Sequence, residues 1–142
     1  MYSLVPVPVS LVPLSISELE GHVRAGFPSP AEDLGAKRVD ILEELLIHPA
    51  ASYWMTVRGD SMREYGIWDR DTLLVDRAIR PAHGHIVIAV LDNEFVCKYL
   101  YKRAGVIRLK AGNPTYPDIV PKDGQLLEIW GVVLTSLKRF KA

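Results

Sequence analysis

His85-Ile86-Val87-Ile88-Ala89-Val90-Leu91-Asp92-Asn93-Glu94-Phe95-Val96-Cys97-Lys98-Tyr99-Leu100-Tyr101-Lys102 decides the fold. Two runs rich in β-branched and aromatic residues flank Asp92-Asn93, a pair suited to a tight hairpin turn. In the second run alternation puts Val96, Lys98 and Leu100 on one face and Phe95, Cys97, Tyr99 and Tyr101 on the other. Working outward, Val106 to Lys110 follows across Ala104-Gly105, a second hairpin candidate. Tyr53 to Val57, Thr72 to Asp76 and Leu126 to Leu134 have the same character, bounded by Gly, Pro, Asp and Asn. About six strands predict a compact, mostly β domain.

The N-terminal third reads differently. Val5-Pro6-Val7-Pro8-Val9 predicts extended backbone, because proline lacks an amide donor and biases its predecessor toward β or polyproline geometry. Met1 to about Gly26 is therefore expected to be an arm. Within it, Ser15 to Val23 suggests a short helix capped by Ser17 and limited by Gly21, far too short for a helix-turn-helix. Ser29-Pro30-Ala31-Glu32 has the form of a helix start, with Gly35 as the break. Arg38 to Ile47 carries Val39, Leu42, Leu45 and Leu46 at helical spacing, and His48-Pro49 ends that pattern.

Composition narrows the function. The chain has 142 residues, 49% of them hydrophobic and 24% charged, enough for one domain with a real core. Seventeen basic residues balance seventeen acidic ones without a Lys/Arg cluster, so the electrostatic footprint of a nucleic-acid binder is missing. Direct specific DNA binding is not expected; a role near DNA would run through protein partners. Cys97, the one cysteine, has no intrachain disulfide partner, which makes a reducing cytoplasm the default. Pro6, Pro8 and Pro13 interrupt the apolar start and no basic residue precedes it, unlike a signal peptide. No run approaches the ~20 apolar residues of a membrane helix, so a soluble protein away from membranes is expected.

The chemistry centres on Gly59-Asp60-Ser61-Met62 and on Lys98, 37 residues after Ser61. A serine hydroxyl is a weak nucleophile until a base takes its proton, and lysine serves as that base only when neutral. Its pKa must fall from about 10.4 by roughly three units, a shift that burial supplies. The apolar neighbours Val96 and Leu100 are on the correct face for this. Gly59 permits a sharp turn that presents Ser61, whose own N–H is one candidate oxyanion donor; the second donor is not assigned. Taken singly, Gly-Asp-Ser is a common turn composition and Lys98 an ordinary solvated lysine.

Ala25-Gly26-Phe27-Pro28 looks like the bond such an enzyme would cut in itself: two small residues that fit a tight cleft, before a phenylalanine biased to extended geometry. A plain linker reads the same way, and Ala-Gly pairs recur at Ala104-Gly105 and Ala111-Gly112. His83 and His85 are two apart on an expected strand but lack a third ligand with persuasive spacing, so no metal is expected. A Ser61, His83, Asp76 triad is possible on residue types alone. Cys97, alternating away from Lys98, is expected in the core.

Ala25-Gly26-Phe27-Pro28-Ser29-Pro30-Ala31-Glu32-Asp33, Gly59-Asp60-Ser61-Met62, Asp69-Arg70-Asp71, His83-Gly84-His85-Ile86-Val87-Ile88-Ala89, Lys98, Asn113-Pro114-Thr115-Tyr116 and Gly131-Val132-Val133 occur in that order. The set, running from about Ala25 to Phe140, resembles the LexA/UmuD self-cleaving peptidase family, and the short arm with Gly-Phe-Pro-Ser-Pro is most similar to its UmuD-like members. The resemblance implies a compact peptidase domain over residues 26–142 behind a flexible arm over residues 1–25. It implies Ser61 as nucleophile, Lys98 as general base and Ala25-Gly26 as the scissile bond, with no cofactor, and it argues against the triad. It further implies a homodimer that cuts its own arm when stimulated by a RecA nucleoprotein filament, the trimmed form then joining a UmuC-like translesion polymerase in SOS mutagenesis. Two departures stand out: alanine precedes Gly26 where the best-known UmuD has cysteine, and His85 stands where an acidic residue is common. The rival readings are a non-catalytic dimerisation or binding module of the same fold, and a signal-peptidase-like enzyme, which needs a membrane anchor.

Overall fold

A computed structural model describes residues 5–9, 15–19, 36–122 and 127–141. Its strands are β1 (Val7–Pro8), β2 (Ser15–Leu19), β3 (Ala36–Asp40), β4 (Ser52–Thr56), β5 (Thr72–Asp76), β6 (Ile86–Leu91), β7 (Glu94–Arg103), β8 (Val106–Lys110) and β9 (Leu127–Leu137), with one short helix, α1 (Ile41–Leu45). They divide into two units, residues 10–46 and the remainder.

In the larger unit seven strands form one antiparallel sheet in the order β1-β4-β5-β9-β6-β7-β8. All six expected strands are present within a few residues of their expected ends, as a mostly β fold requires. Asp92 and Asn93 turn with φ of 49° and 67°, and Ala104 and Gly105 with 50° and 75°, so both expected hairpins adopt the left-handed pair of positions that matches strand twist. Register shifts between Leu74 and Val75 on β5, and between Ile88 and Ala89 on β6, both fall against β9. Such bulges sharpen the local twist of a sheet.

Alternation sorts the apolar residues into two clusters. Met55, Val57, Met62, Ile67, Leu73, Val75, Ile88 and Cys97 form one; Val87, Ala89, Leu100, Leu109 and Val132 form the other. Each fully buried aliphatic side chain contributes about 1.5–3 kcal/mol relative to exposure. Cys97 is wholly buried, and burial pushes its thiol up to about 12, which keeps it protonated and inert. Of the stretch Val5 to Val9 expected to be extended, Val7–Pro8 is a strand, paired with Trp54 and Tyr53.

The smaller unit corrects two helix expectations. Ser15–Leu19 is a strand rather than a helix, paired antiparallel with Ala36–Asp40. The helix expected over Arg38 to Ile47 is reduced to Ile41–Leu45, because Arg38 to Asp40 belong to β3 and Asp40 caps the helix by accepting from the N–H groups of Leu42 and Glu43. The backbone ladder over Ala36–Asp40 outweighs a helical apolar spacing that propensity alone supports weakly. The helix start at Ser29-Pro30-Ala31-Glu32 and the proposed cut at Ala25-Gly26 lie outside the described residues.

Candidate active site

Ser61 stands on the turn that leaves β4. Val57 is tied to the far side of this excursion, its N–H donating to Asp71 O at 2.8 Å and its carbonyl accepting from Arg70 N–H at 2.7 Å. Gly59 has a φ of 94°, a region open to glycine, and its N–H donates to Asp69 Oδ1 at 2.7 Å. The chain then reverses through Asp60 and Ser61 into a 3-10 turn over Arg63–Tyr65.

Lys98 is in the middle of β7, paired with Val87 of β6. Its strand places it on the face of Val96 and Leu100, and its side chain runs to the serine: Lys98 Nζ donates to Ser61 Oγ at 3.0 Å. Both groups are buried, Ser61 at 5% exposure and Lys98 at 6%. Burial pulls the Lys98 amine below the ordinary lysine range, with the neighbouring Cys97 acting weakly the other way. A hydroxyl beside an amine that gives up its proton readily is an arrangement able to make an alkoxide-like nucleophile.

The loop after β8 holds the serine turn from the other side. Gly112 N–H donates to Ser61 O at 2.7 Å, and Glu64 N–H donates to Gly112 O at 2.8 Å. Buried Asn113 donates from Nδ2 to Asp60 O at 3.0 Å, while its Oδ1 accepts from Thr115 N–H and from Thr115 Oγ1. Tyr116 donates its hydroxyl to Asp60 Oδ1 at 3.0 Å. Residue types alone give Asn113-Pro114-Thr115-Tyr116 no task; its place after Gly-Asp-Ser in the order of the family motifs is the signal the sequence carries.

The other candidates fall elsewhere. Asp76 is wholly buried and accepts from Ala78 and Ile79 N–H and from His48 Nδ1, so it does not complete a triad with His83 and Ser61. His83 and His85 lie on the turn before β6 rather than on a strand. Lys102 N–H and Arg103 Nε approach the two ring nitrogens of His83, and Ala82 N–H donates to His85 Nδ1. Among the described residues no three His, Cys, Asp or Glu side chains converge as a metal site, and no helix is long and apolar enough to cross a membrane.

The fold is a mostly β domain that buries a serine against a lysine. The peptidase S24-like family matches residues 17–134, and the chain belongs to it as a UmuD-like member. It is 38% identical to protein MucA of Salmonella typhimurium over 118 residues, 82% of this chain and 80% of that protein. Protein SamA of Salmonella typhimurium is 37% identical over 118 residues, 83% of this chain and 81% of SamA. The LexA repressor of Halorhodospira halophila is 38% identical over 134 residues, 94% of this chain and 59% of the repressor.

Proposed function

We propose that this chain is a serine endopeptidase that acts once, on itself, cutting Ala25-Gly26 with Ser61 as nucleophile and Lys98 as general base. The observation that carries the reading is the 3.0 Å contact between two buried side chains in a member of a peptidase family. Neutral Lys98 takes the Ser61 proton as Oγ attacks the Ala25 carbonyl carbon, giving a tetrahedral oxyanion. The protonated amine then donates to the Gly26 nitrogen as the peptide bond breaks, leaving residues 1–25 esterified to Ser61. A water then attacks the ester carbonyl while giving a proton to Lys98, and Lys98 passes that proton to Ser61 Oγ as the ester breaks, which releases the arm and restores both groups. The Ser61 N–H is one candidate donor to the oxyanion.

In this reading residues 1–25 are a removable arm and residues 26–142 the retained domain. The protein works as a homodimer in the cytoplasm; a RecA filament raises the frequency with which the arm enters the cleft. The trimmed form then serves as accessory subunit of a UmuC-like translesion polymerase in SOS mutagenesis. Intact-mass spectrometry over time, beside Ser61→Ala and Lys98→Ala, tests the chemistry. A fragment beginning at Gly26 in the wild type and absent from both variants is expected. Absence of that fragment at any pH, with or without RecA filaments, would favour a non-catalytic dimerisation or binding module.

A further inference from the structure

Ser61 and Lys98 come from different elements, and the segment over residues 112–116 links those elements in space. β8 runs in register with β7, Tyr99 opposite Lys110, so the chain leaving β8 starts beside the lysine's strand. Two residues on, Gly112 brackets the serine turn with its two backbone bonds to Ser61 and Glu64. Tyr116 N–H donates to Asn113 O, which turns the chain back over the site. From there the Tyr116 hydroxyl reaches Asp60 Oδ1 and its ring centroid lies 5.8 Å from Lys98 Nζ. Tyr116 is 43% exposed where Lys98 is 6% exposed, so the ring belongs to the outer layer over the amine.

We propose that Tyr116 is a positioning residue of this site: its hydroxyl fastens the residue before the nucleophile, and its ring keeps water from the Lys98 amine. The role deepens the peptidase reading and rests on it. The groups facing the amine are Ser61 from the turn after β4 and Tyr116 from the loop after β8, with the Asp60 carboxylate one hydrogen bond further out; Cys97, next on the strand, points to the opposite face and acts only through space. At 5.8 Å the amine is at the outer limit of cation–π reach, so the ring's attraction for the charged form is weak. Exclusion of water is the stronger effect, because hydration is what restores a buried lysine to its ordinary basicity. The two tasks separate chemically: phenylalanine keeps the ring and loses the tether, and alanine loses both.

The experiment uses the full chain with and without Tyr116→Phe and Tyr116→Ala. Self-cleavage is followed by intact mass from neutral to strongly alkaline pH. In parallel, Lys98 is titrated by NMR of ¹³Cε-lysine in a Ser61→Ala background, its signal assigned by its loss in Lys98→Met. Tyr116→Ala is expected to raise the Lys98 midpoint by about one unit and to slow cleavage about tenfold below that midpoint. Tyr116→Phe is expected to leave the midpoint in place and slow cleavage several-fold wherever the wild-type Tyr116 hydroxyl is protonated. A Tyr116→Ala midpoint that stays put or falls overturns the screening role, and a Tyr116→Phe rate equal to wild type overturns the tether. Should the wild type never cleave while the Lys98 midpoint still moves in Tyr116→Ala, the peptidase reading fails and the screening stands.

Discussion

Gly112 packs under the Tyr65 ring with no room for a side chain: a Cβ there would lie 2.9 Å from Tyr65 Cε2 and 3.1 Å from Met62 Cα. Tyr65 is backed by Tyr99, the rings stacked at 5.3 Å and 11°, so it has little freedom to yield. Gly112→Ala is therefore expected to cost about 1–3 kcal/mol, as overpacking does. Because Gly112 also holds the Ser61 carbonyl, self-cleavage should fall further than stability. Urea denaturation beside the cleavage assay checks both, and an unchanged midpoint would mean that the stacked pair shifts without strain.

Alkaline pH should speed self-cleavage without an activator. Only neutral Lys98 accepts the serine proton, and burial places its midpoint below the ordinary lysine value, so the rate climbs as pH rises through that lowered midpoint. Stability follows the same sign. Between the lowered folded pKa and the unfolded value of about 10.4 the unfolded chain binds more protons, and stability rises with pH across that window. Lys98→Met should abolish cleavage yet melt at a higher temperature than wild type at neutral pH. A rate that stays flat or falls toward alkaline pH would argue against lysine as the base.

Acid should attack the Asp71 cluster at the base of the serine excursion. Burial alone would raise the Asp71 carboxyl, but hydrogen bonds from Lys138 Nζ, Trp68 N–H and Ser136 Oγ hold it below the usual carboxylate range. Its contribution is present above the unfolded pKa of about 3.9 and is lost as pH falls through the lower folded value. Asp71→Asn should cost about 1–3 kcal/mol at neutral pH and flatten the acid limb of the melting profile. Parallel acid limbs in thermal melts of the two proteins would assign the acid sensitivity elsewhere.

One position invites stabilisation. Ala104 occupies left-handed backbone at φ 50° in the β7–β8 hairpin, a conformation that costs most non-glycine residues roughly 1–2 kcal/mol and asparagine less. Ala104→Asn should raise the urea midpoint by the equivalent of about 1 kcal/mol with self-cleavage unchanged. A lower midpoint would show that the alanine methyl packs usefully.

The strands of the larger sheet were legible because they repeat every two residues and end at turn residues. The Asp92-Asn93 and Ala104-Gly105 hairpins are local features fixed by two positions each. The pairing of Ser15–Leu19 with Ala36–Asp40 was not legible: it joins residues far apart in sequence, and each stretch alone favours helix as readily. Ser61 and Lys98 were readable as residue types, but their 3.0 Å approach follows from strand register and from the loop over residues 112–116. Asn113 and Tyr116 were hidden for the same reason, since their partner Asp60 is more than fifty residues earlier.

The strand order carries a consequence for how the sheet closes. β9 lies between β5 and β6, joining the strands that lead to Ser61 to those that carry Lys98, and it is the last of the nine in chain order. Because β9 comes last of these strands in chain order, the sheet between β5 and β6 closes only once that strand is in place. The serine turn and the lysine strand thus have two links, the segment over residues 112–116 and the late-arriving β9. A chain truncated before β9 would keep the first link and lose the second, leaving an open seam in the middle of the sheet.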